Sequence, residues 1–403
     1  MIIKPAISVI SPDRVEQGIN LQLWGSSFEE LDLQKDCSNA IAYIPLINSH
    51  DHLISNWVPK AGNNRPYKNS HIWVEDMKDS FAFQERDIFW HNDGSFHLEE
   101  PNSLILAKLG AYKSLFSGCS VVQDHSSNQV DAYYEAMPII VPKNFRQCHS
   151  LTLGNWWGGE TPEKEMELTK GKMPFVVHLG EGTDKITKAE FSRLKKTGLL
   201  KANTLIIHGI ALTAEEIGEV AKAGASLCWC PSSNFFLIGE TLKIDEVLKQ
   251  KVNICIGTDS TMSGGVNLIA EFLKIREHFP KIPAKEIFRM ATVNAATALY
   301  LPQHFAFIIP NKCRNLLLVD KIEHNPYENL FALEASTIQL LLVEGIPRFG
   351  DSEWMEILNL DENMYSTFRT GNKEKFVIGD PMELNEQIDE VLGYHKDFPY
   401  LPF

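Results

Sequence analysis

Ile44-Pro45-Leu46-Ile47-Asn48-Ser49-His50-Asp51-His52 is the stretch that decides how this chain is read. An apolar run of strand length ends in two histidines two residues apart. Along a β-strand, residues i and i+2 project from the same face. Both imidazoles therefore leave one strand end side by side, and Asp51 projects the other way. Adjacent nitrogen donors of this kind suit a metal ion. Alone the pair is weak, because 13 His in 403 residues yield ~0.4 His-x-His pairs by chance. Its weight depends on whether other strands end in matching ligands.

Outward from this run, apolar β-like segments alternate with helical patterns, the arrangement of parallel β/α units. Cys119-Ser120-Val121-Val122-Gln123-Asp124-His125, residues 147–153, Phe175-Val176-Val177-His178, Leu205-Ile206-Ile207-His208, residues 225–230 and 253–259 read as strands. Helices are expected near 104–116, 130–137, 187–197, 267–278 and 284–299. Another starts at Thr213, where Glu216 completes a capping box. About eight such steps fit into 46–311, close to the ~250 residues of a (β/α)8 barrel. The expected fold is therefore α/β, a TIM-like barrel over 46–311. A small β-sandwich module is expected from both chain ends, 1–45 and 312–403. Its strands are expected at 7–10, 19–24, 40–44, 316–319, 337–343 and 346–349, with Glu344-Gly345 as a tight hairpin turn. Residues 351–403 read as an acidic tail with weak helical stretches.

In a barrel the C-terminal ends of the strands share one face, and that face carries the active site. Four β-like runs here end in metal-competent side chains: His50 with His52, His178, His208 and Asp259. Glu181 falls on the turn after its strand and is expected to lean over the site; capping a helix is its plainer role. His125 also ends a strand, either on the substrate side of the site or as a structural residue. Cys230-Pro231-Ser232-Ser233-Asn234 has turn chemistry, and Cys230 has no local base to make it a nucleophile. Trp57, Trp73 and Trp90, with Phe81, Phe83 and Phe89, fall in two aromatic-rich loops. These and Trp156-Trp157 suit stacking on a planar ring, or ordinary core packing. The candidate substrate-binding set is Trp57, Trp73, His125, Trp156, Ser233 and Asn234.

A formal net charge of −14, with no basic run longer than Lys195-Lys196, argues against a nucleic-acid polymer as partner. Hydrophobic content of 44% and charged content of 22% are ordinary for a globular protein. Seven scattered cysteines read as reduced cytoplasmic thiols and not as a disulfide framework. Met1-Ile2-Ile3-Lys4-Pro5 lacks the apolar run of a secretory signal, and no stretch is apolar enough to span a membrane.

Taken in order, His50-Asp51-His52, His178-Leu179-Gly180-Glu181, His208-Gly209, Cys230-Pro231-Ser232-Ser233-Asn234 and Gly257-Thr258-Asp259-Ser260 resemble the motif set of the amidohydrolase superfamily. The resemblance is to the branch of guanine and cytosine deaminases, nucleoside deaminases and triazine chlorohydrolases, and it covers about 40–350. It implies that His50, His52, His178 and Asp259 hold one divalent ion, Zn²⁺ first and Fe²⁺ second. His208 would hold the attacking water or polarise the substrate, and Glu181 would move protons, so Glu181, His208 and Asp259 form the catalytic set. Two-metal members carry a carboxylated lysine at the end of the fourth strand; Gln123-Asp124-His125 is taken as that position, has no Lys, and implies a single ion. The implied reaction is hydrolytic deamination of a small nitrogen heterocycle or nucleoside-like compound, in a protein that is often a homodimer. Opening of a cyclic amide or amidine, as in imidazolonepropionases, dechlorination, and a non-catalytic scaffold are the alternatives. The compressed 130–174 stretch and the glycine-rich 261–265 loop depart from the family pattern and leave the substrate open. The separate zinc deaminase signature, His-x-Glu with Pro-Cys-x-x-Cys, is not matched.

Overall fold

The computed structural model describes residues 1–25, 28, 31–89, 97–152, 154 and 158–403. Four strands precede the opening motif's strand: β1 (Ile2–Ser11), β2 (Arg14–Gln17), β3 (Leu21–Gln22) and β4 (Gln34–Tyr43). Seven more alternate with helices: β5 (Leu46–Asp51), β6 (Cys119–Asp124), β7 (Arg146–Ser150), β8 (Phe175–Leu179), β9 (Thr204–His208), β10 (Ser226–Trp229) and β11 (Asn253–Ile256). The last five are β12 (Leu316–Asp320), β13 (Ile338–Val343), β14 (Ile346–Asp351), β15 (Tyr365–Thr370) and β16 (Lys373–Ile378).

Strands β7 to β11 form one parallel sheet in sequence order, and β5 pairs with β6, also parallel. Strands buried on both faces are what a parallel sheet covered by helices demands. Alternate residues sort accordingly. Ile47, Val121, Val176, Leu205, Ile207, Cys228 and Cys255 pack into one inner cluster. Their neighbours Leu46, Val122, Val177, Ile206, Leu227 and Ile254 join the larger core. At one seam Ile140 exchanges hydrogen bonds with β6, its N–H to Ser120 O (3.1 Å) and its carbonyl from Val122 N–H (3.0 Å). At the other, the N–H groups of Thr258 and Asp259 both donate to His50 O at 3.0 Å.

The two ends of the chain meet in one mixed sheet of nine strands, ordered β15-β16-β14-β13-β12-β4-β1-β2 with β3 beside β1. Glu344 and Gly345, at φ +52° and +76°, make the expected hairpin turn between β13 and β14. The stretch after 351 differs from its reading. It forms the β15–β16 hairpin, with Thr370 opposite Lys373, and then a helix, Pro381–Leu392. Polar and charged residues on the open face of Tyr365–Thr370 and Lys373–Ile378 dilute the apolar signal. The aromatic region also differs: Trp73 lies in a helix, Ser70–Met77, and Phe81 and Phe83 in another, Phe81–Ile88, capped by the Asn69 and Ser80 side chains. All seven cysteines are buried free thiols. Among the described residues no helix is long and apolar enough to cross a membrane.

Candidate metal centre

The ends of β5, β8 and β9 and the turn after β11 bring four imidazoles and two carboxylates into one volume. His50, His178 and His208 form one group whose ligand atoms lie within 4.8 Å of one another; His50, His52 and Asp259 form a second, and Glu181, His208 and Asp259 a third. His50 Nε2 and His178 Nε2 are 3.3 Å apart, and His52 Nε2 is 3.5 Å from Asp259 Oδ1. The β5 register on β6 shifts between Asn48 and Asp51, so strict alternation does not set the direction of His50. Backbone form at the other ends is specialised. Gly180 (φ +68°) turns the chain between His178 and Glu181, while His208 (φ +71°) and Asp259 (φ +57°) occupy the left-handed region themselves. That region is unfavourable for a side chain bearing Cβ, by about 1–2 kcal/mol, and such positions gather at functional sites.

Three of the four imidazoles are oriented from behind. His178 Nδ1 donates to His149 O (2.9 Å) and His52 Nδ1 to His125 O (3.0 Å), which leaves both Nε2 lone pairs facing inward, as in metal-binding histidines. His208 Nδ1 meets Asn234 Oδ1 at 2.8 Å. Burial, reinforced by the neighbouring imidazoles, holds His50 and His178 well below the usual histidine pKa, so both are neutral donors. Asp259 Oδ2 accepts from the Ser233 and Ser263 hydroxyls, each at 2.8 Å, and Oδ1 from Ser260 N–H. Burial pushes Asp259 up, yet His52, His208 and these donors outweigh it and keep the carboxyl below its ordinary value. Glu181 goes the other way: burial raises it, with His208 partly offsetting the rise. Its Oε1 is 3.5 Å from His208 Nε2. Beneath the histidines, Asp51 projects away from the centre, as expected, into a fully buried ion pair with Lys113 (2.9 Å). The donor set, three imidazoles and a carboxylate converging on one volume, fits a divalent cation.

A pocket opens over this centre, walled by Trp73, Val74, Phe83, His71, Glu190 and Met262 among others. Of the substrate-side candidates, Trp73 lines it. Trp57 does not: its indole is buried against Phe89, with ring centroids 5.7 Å apart. Ser233 and Asn234 are buried behind Asp259 and His208 and act on those residues. His125 is buried under the centre, its ring 4.5 Å from that of His178. Trp156 lies outside the described residues, as do Trp90 and Trp157. The position tested for a bridging lysine also changes. Cys119–Asp124 is the second parallel strand, and the fourth, counting Ile140, is Arg146–Ser150, which likewise has no Lys. His149 on that strand is half-buried and lines the pocket, its pKa is lowered to about 3 by desolvation, and its ring lies 5.0 Å from that of His178. The sequence reading passed over it, along with Ser70, His71 and Glu190.

Parallel β/α strands that pool histidines and carboxylates at their ends define a metal-type hydrolytic site. The chain belongs to the amidohydrolase family, whose model matches residues 163–346, and it is a hydrolase of non-peptide carbon–nitrogen bonds. It is 33% identical over 314 residues to a 5-methylthioadenosine/S-adenosylhomocysteine deaminase of Pyrococcus abyssi, covering 66% of this chain and 71% of the relative. To the guanine deaminase of Homo sapiens it is 25% identical over 246 residues, 56% of this chain and 52% of that one. The fold matches that of an adenosine deaminase from Xanthomonas campestris with bound zinc, at a TM-score of 0.68 and 14% identity, over 97% of each chain.

Proposed function

We propose that this protein hydrolytically deaminates a nitrogen heterocycle or a nucleoside-like compound, using one divalent ion. The observation that carries the reading is the convergence of His50, His52, His178, His208, Glu181 and Asp259 beneath a pocket open to a small ligand. The deaminase relatives support it. His50, His52, His178 and Asp259 would hold the ion; Zn²⁺ suits the nitrogen-rich donors and is present in the Xanthomonas campestris neighbour. When bound, the ion supplies Lewis acidity that brings the pKa of water from ~15.7 to about 7.

The remaining chemistry belongs to the chain. Asp259 takes the proton of the water that attacks the amino-bearing ring carbon. Glu181, whose pKa burial raises, gives a proton to the adjacent ring nitrogen. His208, fixed by Asn234, presents Nε2 to the incoming oxygen. Asp259 passes its proton to the amino group, the C–N bond breaks, ammonia leaves, and Glu181 recovers the ring proton. We also infer that the seven parallel strands and the Ile140 segment are the eight staves of a closed barrel, with 1–45 and 312–403 as its companion unit. The free thiols fit a reducing cytoplasm.

Elemental analysis of purified protein, followed by ammonia-release assays over purines, pyrimidines, pterins, triazines and their nucleosides, tests the reading. One equivalent of metal, lost in His50→Ala, together with ammonia from one class, is the expected result. A metal-loaded protein that releases no ammonia across the panel defeats it.

A further inference from the structure

Next to the catalytic layer, the pocket wall holds a second carboxylate–imidazole pair that the mechanism does not use. Glu190, on the helix Lys185–Lys196, is 3% exposed. Its Oε2 accepts from Gly180 N–H at 2.6 Å, and its Oε1 makes no hydrogen bond among the described residues. The Thr152 hydroxyl is close enough to the carboxylate to lower its pKa against the rise from burial, but outside hydrogen-bond geometry with Oε1. His71, on the helix Ser70–Met77, places Nε2 4.0 Å from Oε1, too far for a direct bond. Both side chains line the pocket. They form a layer adjoining the catalytic one, since Ser70 N–H bonds to Glu181 O while the following residue, His71, faces Glu190.

A buried carboxylate oxygen without a donor is costly, and this one faces the space a ligand fills. We propose that Glu190 and His71 form a hydroxyl-binding subsite: a substrate O–H donates to Glu190 Oε1 while its oxygen accepts from His71 Nε2–H. A hydroxyl both donates and accepts, and its oxygen fits within a gap of 4.0 Å. A ring N–H would satisfy Glu190 and leave His71 idle, and an anionic group would be repelled by the carboxylate. Arg86, also on the wall, is held by Asp87 at 2.6 Å and lies over the Phe83 ring. The subsite deepens the deaminase reading and rests on it for the position of the ring: the substrate is a heterocycle carrying a hydroxyl-bearing substituent.

Calorimetric titration of metal-loaded Glu181→Gln protein, in which turnover is suppressed, tests this. The probes are adenosine, guanosine and cytidine with their 2′,3′-dideoxy and 5′-deoxy counterparts. At least one nucleoside is expected to bind ~10–100-fold more tightly than a counterpart, the range for a hydrogen bond to a charged group. Adding Glu190→Gln keeps an acceptor for Gly180 N–H but turns a donor toward the pocket. That change and His71→Phe should each erase the difference and leave the deoxy ligand's affinity within about twofold. The proposal is overturned if no nucleoside shows the preference, if it survives both substitutions, or if both ligands weaken equally, the sign of a role limited to holding Gly180. Wild-type protein that releases no ammonia but keeps the preference defeats the deaminase reading and leaves the subsite standing.

Discussion

Glu181 is placed where a proton must move, 3.5 Å from His208 Nε2 and raised by burial above the ordinary carboxylate value. Glu181→Gln keeps the shape and removes the titrating proton. Turnover should fall by ~10²–10⁴-fold, the range for a positioned acid–base group, while metal content stays unchanged. Steady-state kcat and elemental analysis on the same preparation decide it, and a near-wild-type kcat would remove Glu181 from the mechanism. The register shift at β5 and the left-handed backbone of His208 and Asp259, and not alternation, set where His50, His208 and Asp259 point. At this scale His50, His52, His178, His208 and Asp259 were legible because each closes an apolar strand-like run and so falls at one end of the parallel strands. What lies behind or beside them was not. Ser233 and Asn234 were read as substrate-facing because a turn motif does not say which side of the ligand it occupies. His71 and Glu190 come from helices far apart in sequence, and only the fold makes them neighbours.

Between elements, the tightest constraint is the seam where β5 meets the chain leaving β11. A Cβ on Gly257 would stand 2.6 Å from His50 Cβ and 2.9 Å from both His50 N and O. The absence of a side chain is therefore what lets Thr258 and Asp259 reach His50 O. Gly257→Ala should force the strands apart at the point where two metal-ligand candidates sit, costing about 1–3 kcal/mol by overpacking. The expected readout is a lower denaturation midpoint with metal stoichiometry clearly below that of wild type. Full metal content with an unchanged midpoint would show the seam to be more compliant than its geometry implies. Elements with strong local signals were readable in advance: the capping box of Thr213 and Glu216 opens the helix Ala214–Ala223 as expected, and Glu344-Gly345 turns as expected. The β15–β16 hairpin was lost because its half-exposed strands carry Arg369, Lys373 and Glu374 among few apolar residues. Trp73 and Phe83 were misread as loop residues because short amphipathic helices rich in aromatics have little periodic signal.

At the scale of the whole molecule, the site depends on groups that also set stability. Glu271, on the helix Leu268–His278, is fully buried. Its Oε2 accepts from Ser232 N–H at 2.9 Å, anchoring the start of the helix Pro231–Leu237 that supplies Ser233 and Asn234. Burial lifts its pKa from 4.5 to about 7, against the opposing pull of the Ser232 and Gly265 N–H groups and Lys60. Because the folded value lies above the unfolded one, the native state binds the extra proton between these limits. Its stabilising contribution is complete below pH 4.5, declines as pH rises, and is gone above about 7. At 1.36 kcal/mol per unit, the decline amounts to about 3 kcal/mol. Glu271→Gln mimics the protonated form at every pH, so the wild-type-minus-variant difference in unfolding free energy should turn against wild type by about that amount between pH 5 and pH 8. Urea denaturation of both proteins with metal bound, at matched ionic strength, measures the difference directly. Curves that stay parallel across that interval would mean that Glu271 is already ionised in the folded protein at pH 5, and that its buried charge is compensated by the surrounding N–H groups.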